Sequence, residues 1–443
     1  MDHAPRRLSR RDVMALAALG IATPAALAAT GPASAATRTA APAAHDPLAA
    51  HHPLAAQDPR SVDDPAGDAT PFHRAFPLFR SANMTSPDRL PSGVGFHSFR
   101  IPAVVTTATG RILAFAEGRR HNNRDYGDIN LVAKRTRTTT DHGAEPADWE
   151  PLREIVGAGN GTWGNPTPVV DGTTVHLFLS WNAGDRSQNG DDPLPDGSRT
   201  DKVDATEEGR RRLYLTSSTD DGATWSTPRD LTAELTPDGW AWDAVGPGNG
   251  IRLRSGELVV PALGRNIVGR GSPGARTWSV QLLEGAAEEG TVVQTPDGRL
   301  CRNDRPLDDR ARWVARGTLD GFGPFAVDPG LPDPRCQGSV LAYNVDAPAR
   351  TLFLNSASET SRREMRVRIS YDADARTFTA GRALSAAPVS GVGYEGGYSS
   401  MTKTADYRVG ALVETDFFND GTGGGSYRAL VWRRFNLSWI LNG

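Results

Sequence analysis

Short runs in which apolar and polar residues alternate recur from Phe72 to the end of the chain, roughly every 10 to 20 residues. A period of two is typical of β-strands that bury one face. Asp-Gly, Gly-Asn and Pro turns separate the runs, and sustained helical periodicity is absent. The predicted strands include Arg111–Phe115, Val175–Trp181, Arg212–Thr216, Glu257–Pro261, Thr351–Asn355, Arg366–Ser370 and Val409–Glu414. Together with 47 Gly and 32 Pro among 443 residues, this pattern predicts an all-β fold.

Three segments of the chain differ in composition. Residues 1–36 contain Arg10-Arg11 followed by an apolar run from Ala15 to Ala29. This order is typical of a twin-arginine export signal, and the run is too short and too rich in Ala and Pro to favour the alternative of a membrane anchor. Residues 37–71 are rich in Ala and Pro without an apolar period, which predicts a disordered linker. Residues 72–443 show no second linker, so we expect a single secreted domain.

Charge and composition exclude several classes of function. The net charge of −3 offers no basic field for nucleic acid or for a membrane surface. All nine His lie at or before His176, and no His or Cys spacing typical of a metal site is visible. We therefore expect no metal, no cofactor, and no nucleic-acid or membrane partner. Only Cys301 and Cys336 are present, either as two reduced thiols or as one disulfide bridge.

The segment from Ser98 to Val132 carries the strongest chemical signal. Two alternating strands joined by an Ala-Thr-Gly turn predict a hairpin. Arg100 lies on its first strand, Arg119 at the end of its second, and Asp125 in the loop beyond. An Arg on an apolar strand is either half of an interior salt bridge or a contact to an anion. The hairpin therefore predicts an anion site beside a carboxylic acid.

The sequence around these three residues resembles the bacterial sialidase (neuraminidase) family. The resemblance rests on Phe-Arg-Ile-Pro around Arg100, Ala-Glu-Gly-Arg ending at Arg119, and Asp-x-Gly-Asp beginning at Asp125. In the family this loop carries the acid/base aspartate, which implies that role for Asp125. A general acid has to be protonated when substrate binds, so we expect a partly desolvated carboxyl. The alternative is a solvated Asp whose pKa is lowered by its neighbour Arg124. Arg119 would orient the acid or contact the sugar.

A repeat along the chain is similar to the Asp-box of the same family. Residues 218–225 read Ser-Thr-Asp-Asp-Gly-Ala-Thr-Trp and match the pattern Ser-x-Asp-x-Gly-x-Thr-Trp. In such a turn the Asp accepts backbone amides, the Gly supplies a positive φ, and the Trp packs between strands. Weaker copies begin at Thr139, Thr318 and Ser370, where ordinary Asp-Gly hairpins are the alternative. The resemblance implies a six-bladed β-propeller of the sialidase type with a single catalytic domain.

The resemblance also assigns two further arginines. Residues 297–305 are similar to a family strand that ends in an arginine, which in this chain is Arg305; a local pairing of Arg305 with Asp304 is the alternative. In residues 361–370 the family spacing selects Arg362, with Arg363 as the alternative. Arg100, Arg305 and Arg362 would then hold a sialic acid carboxylate by charge-assisted hydrogen bonds.

The nucleophile and its base follow from two more motifs. Gly-Gly-Tyr-Ser-Ser at 396–400, with Gly-Ala-Leu-Val-Glu at 410–414, looks like the family's Tyr-Ser-Ser strand and the strand after it, which implies a nucleophilic Tyr398. A neutral phenol avoids the repulsion that a carboxylate nucleophile would meet beside the substrate carboxylate, and sialidases are the recognised exception among glycosidases. The stretch 286–293 resembles the strand entry that carries the base, and spacing selects Glu289, with the adjacent Glu288 as the alternative.

The function implied by the resemblance is that of an exo-α-sialidase acting on sialylated glycans, with retention through a tyrosyl-linked intermediate. A trans-sialidase or an intramolecular transglycosylating enzyme would use the same residues. A non-catalytic propeller that binds sialic acid would need only the arginines. The sequence assigns no linkage preference and no oligomeric state.

Overall fold

The computed structural model describes residues 70–441 apart from positions 158, 160, 288, 308–309, 345–348, 416 and 419–425. The predicted export signal, nearly all of the predicted linker, and Glu288 lie outside the described residues. In the described part of the chain, nearly all of the regular secondary structure is β-strand, as the alternating pattern predicts. Each of the seven predicted runs overlaps an observed strand.

Along the chain, the strands of the described residues are β1 (His73–Arg80), β2 (Ser98–Thr106), β3 (Ile112–Arg119), β4 (Ile129–Arg135), β5 (Arg153–Val156), β6 (Gly161–Asp171), β7 (Thr174–Ala183), β8 (Arg186–Ser187), β9 (Asp201–Lys202), β10 (Arg212–Ser218), β11 (Arg229–Asp230), β12 (Ile251–Arg252), β13 (Leu258–Ala262), β14 (Arg265–Arg270), β15 (Thr277–Leu282), β16 (Gly290–Gln294), β17 (Leu300–Asp304), β18 (Ala311–Thr318), β19 (Gly321–Phe322), β20 (Ala326–Pro332), β21 (Ser339–Asn344), β22 (Arg350–Ser356), β23 (Met365–Ser370), β24 (Arg382–Ala383), β25 (Glu395–Lys403), β26 (Val409–Thr415), β27 (Phe417–Phe418), β28 (Ser426–Tyr427) and β29 (Ala429–Phe435). Two short helices, α1 (Thr232–Leu235) and α2 (Leu437–Leu441), accompany them.

The strands form antiparallel meanders that follow one another along the chain. Three sheets have the orders β12-β13-β14-β15, β16-β17-β18-β19 with β20 beside β18, and β21-β22-β23-β24. A larger sheet has the order β11-β10-β7-β6-β4-β3-β2, with β5 beside β4, and a single parallel bridge between Ile129 and Thr162 joins its two antiparallel halves. The last sheet of this series, β1-β29-β26-β25, pairs the first strand with the last. Two two-stranded sheets, the parallel β8-β9 and the antiparallel β27-β28, lie outside the series.

The hydrophobic core is divided among the interfaces between successive meanders. Apolar clusters lie between β3 and β7, between β7 and β13, between β13 and β16, between β18 and β21, and between β22 and β26. A further cluster packs β26 and β29 against β2 and β3, so the last sheet also contacts the first hairpin. Because each cluster joins neighbouring meanders, the inner strands of all of them are held in fixed relative positions.

The turn at residues 218–225 has the contacts expected from its sequence. Asp220 accepts hydrogen bonds from the backbone N–H of Thr224 at 2.9 Å and from its hydroxyl at 2.6 Å, and Gly222 has a φ of +76°. Similar Asp contacts occur at Asp141 and Asp372 in two of the weaker copies. In the third, the backbone N–H of Asp320 contacts the Thr318 hydroxyl, so this turn is closed in a different way.

Candidate active site

The structure brings together residues on four strands, β2, β3, β25 and β26, with residues that lie at or near the ends of β16, β17 and β23. Arg100 lies on β2, as predicted, and β2 is antiparallel to β3, with Arg100 opposite Glu117. The pairing shifts between Arg100 and Ala103, where Ile101 adopts a φ of +54°. A second irregularity lies on β25 just before Tyr398, where Gly397 has a φ of +116°. Bulges of this kind re-aim side chains at the ends of strands and are common beside active sites.

Glu414 on β26 connects the two irregular strands. Its side chain is fully buried, and it accepts hydrogen bonds from Arg100 Nε at 3.1 Å and from the backbone N–H of Ile101 at 3.0 Å. It also accepts the backbone N–H of Tyr398 at 2.9 Å. One buried carboxylate therefore fixes the guanidinium of Arg100 and the strand that carries Tyr398. Glu414 is the last residue of the Gly-Ala-Leu-Val-Glu motif, but the motif does not reveal its role. That role depends on its contact with Arg100, which lies 314 residues earlier in the chain.

Asp125 lies at the exposed mouth of this group, with a side chain that is 72% accessible to solvent. Its Oδ1 contacts Arg119 Nη2 at 2.7 Å and Arg100 Nη1 at 3.0 Å. Although desolvation works in the opposite direction, the positive charges of Arg119 and Arg100 lower the pKa of Asp125 well below its usual range. The Asp125 side chain is therefore more exposed than the partly desolvated carboxyl that the sequence led us to expect, and its protonation when substrate binds stays a prediction. The expected alternative of a lowered pKa applies, with Arg119 and Arg100 as its cause in place of Arg124.

Arg119 is held by a residue that the sequence interpretation did not assign. Glu117, two residues earlier on β3, contacts Arg119 Nη2 at 2.6 Å and is itself buried. Its other oxygen accepts the backbone N–H of Asn165 at 2.9 Å, which links the hairpin to β6. Residues two apart on a strand share one face, so the Glu in Ala-Glu-Gly-Arg was the available signal for this pair. Arg119 thereby contacts Asp125 from a fixed position.

Tyr398 and Glu289 are in direct contact, as their predicted roles require. The Tyr398 hydroxyl donates a short hydrogen bond to Glu289 Oε1. Arg305 Nη1 donates to Glu289 Oε2 at 2.9 Å and to the Tyr398 hydroxyl at 3.1 Å. Burial and the negative charge of Glu289 raise the pKa of Tyr398 well above its usual value. The phenol is therefore neutral at rest and has an acceptor for its proton.

Asp304 does not pair with Arg305. It forms a fully buried ion pair with Arg302, with Nε and Oδ1 3.0 Å apart. The alternative of a local Asp304–Arg305 pair fails because of strand parity: residues 302 and 304 share one face of β17, whereas residue 305 belongs to the other. Arg305 is consequently available to Glu289 and Tyr398.

The two adjacent arginines at 362 and 363 point to different tyrosines. The Arg362 guanidinium lies 5.5 Å from the centre of the Tyr398 ring, and that of Arg363 lies 5.1 Å from the Tyr394 ring. Gly396 makes this arrangement possible, because a Cβ at that position would lie 1.8 Å from the backbone oxygen of Arg362. The structure thus places Arg362, and not Arg363, beside the candidate nucleophile.

Two further side chains border the group. The ring of Tyr427 lies 4.1 Å from the Arg100 guanidinium, and Cys336 packs against Tyr398 and Ile101. The sequence left open whether Cys301 and Cys336 are two reduced thiols or one disulfide bridge. In the structure both are buried free thiols. Burial raises the pKa of Cys336 to about 12, which makes it an inert packing group at neutral pH.

Within the described residues, no group of three or more His, Cys, Asp or Glu side chains is arranged to hold a metal ion. In the same part of the chain, no helix has the length and apolar character needed to cross a membrane. The described side chains of the site include four arginines (Arg100, Arg119, Arg305 and Arg362), a tyrosine hydrogen-bonded to a glutamate, and an exposed aspartate.

Comparisons with known proteins agree with this geometry. The model of the BNR repeat-like domain family matches residues 110–412. An exo-alpha-sialidase of Aspergillus fumigatus is 74% identical over 84% of this chain and 92% of its own length. One of Arthroderma benhamiae is 68% identical over 84% of this chain and 91% of its own length. Both relatives are fungal, so the resemblance is not restricted to bacterial proteins.

Solved structures show the same fold. The intramolecular trans-sialidase of Ruminococcus gnavus superposes with a TM-score of 0.64, at 16% identity, over 82% of this chain and 97% of its own. That likeness concerns the fold alone. Since the fungal relatives are matched at high identity over nearly their whole length, the chain belongs to the sialidase family of glycoside hydrolases.

Proposed function

We propose that this protein is an exo-α-sialidase that releases terminal α-linked sialic acids from sialylated glycans. The observation that carries the proposal is the hydrogen bond from the buried Tyr398 hydroxyl to Glu289, in a site that also contains Arg100, Arg305 and Arg362. This combination provides a neutral nucleophile with its base beside a cluster of positive charge. It suits a substrate with an anomeric carbon that carries a carboxylate.

Binding begins with the substrate carboxylate. Arg100, Arg305 and Arg362 surround the Tyr398 ring and would donate to the carboxylate oxygens. Once part of their charge is neutralised in this way, Arg100 and Arg362 no longer stabilise the ionised form of Asp125 as strongly. The pKa of Asp125 therefore rises when substrate binds, and the group gains the proton that a general acid needs.

In the first half of the reaction, two protons are transferred, one bond to C2 of the sugar forms and another bond to C2 breaks. The Tyr398 oxygen attacks C2 of the sugar while its proton passes to Glu289, and the bond from C2 to the glycosidic oxygen breaks as Asp125 protonates that oxygen. In the second half, water attacks C2 and the bond from C2 to the Tyr398 oxygen breaks, while Asp125 takes one proton of the water and Glu289 returns its proton to the Tyr398 oxygen. Two displacements on the same carbon give net retention.

Electrostatics supports this assignment of roles. The oxocarbenium-like transition state develops positive charge next to the bound carboxylate, which stabilises it. Arg305 contacts both the Tyr398 oxygen and Glu289, so it stabilises the phenolate as the proton leaves. Arg119, held by Glu117, keeps Asp125 directed toward the arginines and acts as a positioning residue.

We further propose that the meanders are six propeller blades. In support, the large sheet divides at one parallel bridge into two meanders, and apolar clusters join each meander to the next and the last to the first.

Residues 1–36 are proposed to direct export through the twin-arginine pathway. Replacement of Arg10-Arg11 by Lys-Lys should retain the protein in the cytoplasm if that proposal is right.

The nucleophile is tested with a fluorogenic α-sialoside and the Tyr398→Phe variant. Wild-type protein should release the fluorophore, and Tyr398→Phe should lose at least about a thousandfold in kcat/KM, because the attacking oxygen is removed. Tyr343→Phe is the matched control, since Tyr343 is equally buried and its hydroxyl also donates a hydrogen bond, to the backbone of Tyr407. No turnover by the wild type would exclude an enzyme and leave a binding propeller; full activity in Tyr398→Phe would exclude the nucleophile.

Product analysis separates hydrolysis from transfer. NMR of the first product should show free sialic acid in the α form, as retention requires. Sialic acid found on an added acceptor glycan, or as an internal anhydro sugar, would instead favour a trans-sialidase or an intramolecular trans-sialidase.

A further inference from the structure

Tyr394 is an exposed aromatic side chain beside the candidate site that the proposed mechanism does not use. It is 65% accessible to solvent, in contrast to the buried Tyr398 four residues later. At about 3.3 Å per residue of extended chain, the two Cα atoms lie at most about 13 Å apart. That distance corresponds to two or three sugar units of a glycan that extends out of the site.

Although exposed, Tyr394 lies on a rigid support. The next residue, Glu395, has a side chain that is buried and paired with the fully buried Arg433. The residue after that, Gly396, packs directly on the backbone of Arg362. The backbone that follows Tyr394 is therefore anchored on one side to β29, through Arg433, and on the other to the segment that carries Arg362.

Arg363 contacts the ring of Tyr394. Its guanidinium lies 5.1 Å from the ring centre, within the range of a cation–π contact. Arg362 on the preceding position contacts Tyr398, so the pair of arginines links the outer tyrosine to the inner one. Such a contact restricts the rotation of an exposed ring, and a pre-oriented ring loses less entropy when a ligand packs on it.

The leaving group of the proposed reaction has to lie in this region. Asp125 must reach the glycosidic oxygen, so the first sugar of the leaving group contacts the exposed mouth at which Asp125 lies. The guanidinium groups of Arg362 and Arg100 lie 5.5 and 5.4 Å from the centre of the same Tyr398 ring, and Arg100 contacts Asp125 at 3.0 Å, so residues 362–363 lie near that mouth. A neutral hexose of the glycan chain offers an apolar face of C–H groups, which is the surface that packs on an aromatic ring.

We propose that Tyr394, held by Arg363, is a stacking platform for a neutral hexose of the leaving glycan and thereby favours oligosaccharide substrates. The proposal rests on the proposed sialidase activity and concerns the part of the substrate that leaves. It is specific to position 394, since the buried Tyr398 serves the sugar that stays.

The test compares two substrates, a sialyllactose and methyl α-sialoside, which has no sugar in its leaving group. In Tyr394→Ala, the ratio of kcat/KM for sialyllactose to that for the methyl sialoside should fall about fivefold to tenfold, as expected for the loss of one aromatic contact. Tyr394→Phe should retain the wild-type ratio, because it keeps the ring. Arg363→Gln should give a smaller fall, because the ring remains without its support.

Tyr371→Ala is the matched control. Tyr371 is 46% exposed, and the Arg350 guanidinium lies 5.8 Å from its ring, but it follows the end of β23 that points away from Met365 and the site. Its replacement should leave kcat/KM unchanged for both substrates. Thermal unfolding of all variants checks that they are folded. An unchanged ratio in Tyr394→Ala, or equal losses in Tyr394→Ala and Tyr394→Phe, would overturn the platform. Failure of the wild type to cleave either substrate would instead overturn the proposed activity.

Discussion

Replacement of Glu414 by Gln tests whether one buried carboxylate organises the site. Glu414 Oε1 accepts from Arg100 Nε and from the Ile101 N–H, and Oε2 accepts from the Tyr398 N–H and, at 3.4 Å, from Arg100 Nη2. A Gln amide can keep the bonds on its oxygen, but its NH2 group would face the other two donors. The substitution also removes the negative charge that compensates the buried Arg100.

The magnitude follows from the loss of one partner of a buried ion pair, which costs about 3–5 kcal/mol. We therefore expect the free energy of unfolding, measured by urea denaturation, to fall by about 3–5 kcal/mol in Glu414→Gln. Because Arg100 and the Tyr398 strand lose their common anchor, kcat/KM per folded molecule should also fall, by about a hundredfold as for other misplacements of catalytic groups.

Asp171→Asn is the control for this prediction. Asp171 is equally buried and contacts Arg276 at 2.6 Å, at the opposite end of β6 from Asn165 and its contact with Glu117. This variant should lose comparable stability without loss of kcat/KM in the folded fraction. The reasoning is refuted if Glu414→Gln unfolds at the wild-type urea concentration, or if both variants lose activity to the same extent.

Three more outcomes follow from the contacts of the site. Arginines lower the pKa of Asp125 and a bound carboxylate would raise it, so binding of a sialic acid analogue should be accompanied by proton uptake, and its affinity should increase as the pH falls toward the lower pKa. Calorimetry in buffers of different ionisation enthalpy should detect this uptake. The Asp125→Asn variant should abolish it. In Glu289→Gln, kcat should fall about 10²- to 10⁴-fold. The pKa of Tyr398, followed by ultraviolet absorbance, should also drop, because the negative charge of Glu289 that raises it is gone. An unchanged pKa would contradict the contact between Glu289 and the Tyr398 hydroxyl. Gly397→Ala should lower both the stability and the activity, because Gly397 has a φ of +116° and a Cβ there would lie 2.4 Å from Glu414 Oε2. Wild-type stability and activity in this variant would show that the strand can relax.

Local patterns were sufficient where the structure itself is local. The hairpin of β2 and β3 has the register that places Arg100 and Arg119 at one end, as the alternation and the Ala-Thr-Gly turn predict.

The family resemblance, and not local pattern, indicated two contacts between distant segments. The hydrogen bond from Tyr398 to Glu289, 109 residues earlier, agrees with the roles implied by the family motifs. In the same way, the choice of Arg362 over Arg363 by family spacing agrees with the contact to the Tyr398 ring.

The sequence left alternatives open where a charged side chain had several candidate partners. The alternative Asp304–Arg305 pair does not form, because strand parity places Arg302 and not Arg305 beside Asp304. The alternative of a lowered Asp125 pKa applies to the free protein, but Arg119 and Arg100 lower it in place of the sequence neighbour Arg124. These two arginines are supplied by two different strands, so the strength of their effect depends on the folded hairpin.

The strands, the turns and the chemical types of the site residues follow from the sequence, because alternation and turn propensity act over a few residues. Which charges meet depends on how the folded meanders pack. Arg100 and Glu414 are 314 positions apart, and the Arg305 and Tyr398 side chains are 93 apart. Their contacts arise from the packing of whole meanders against one another, and the energy of a buried charge depends on partners brought there by that packing.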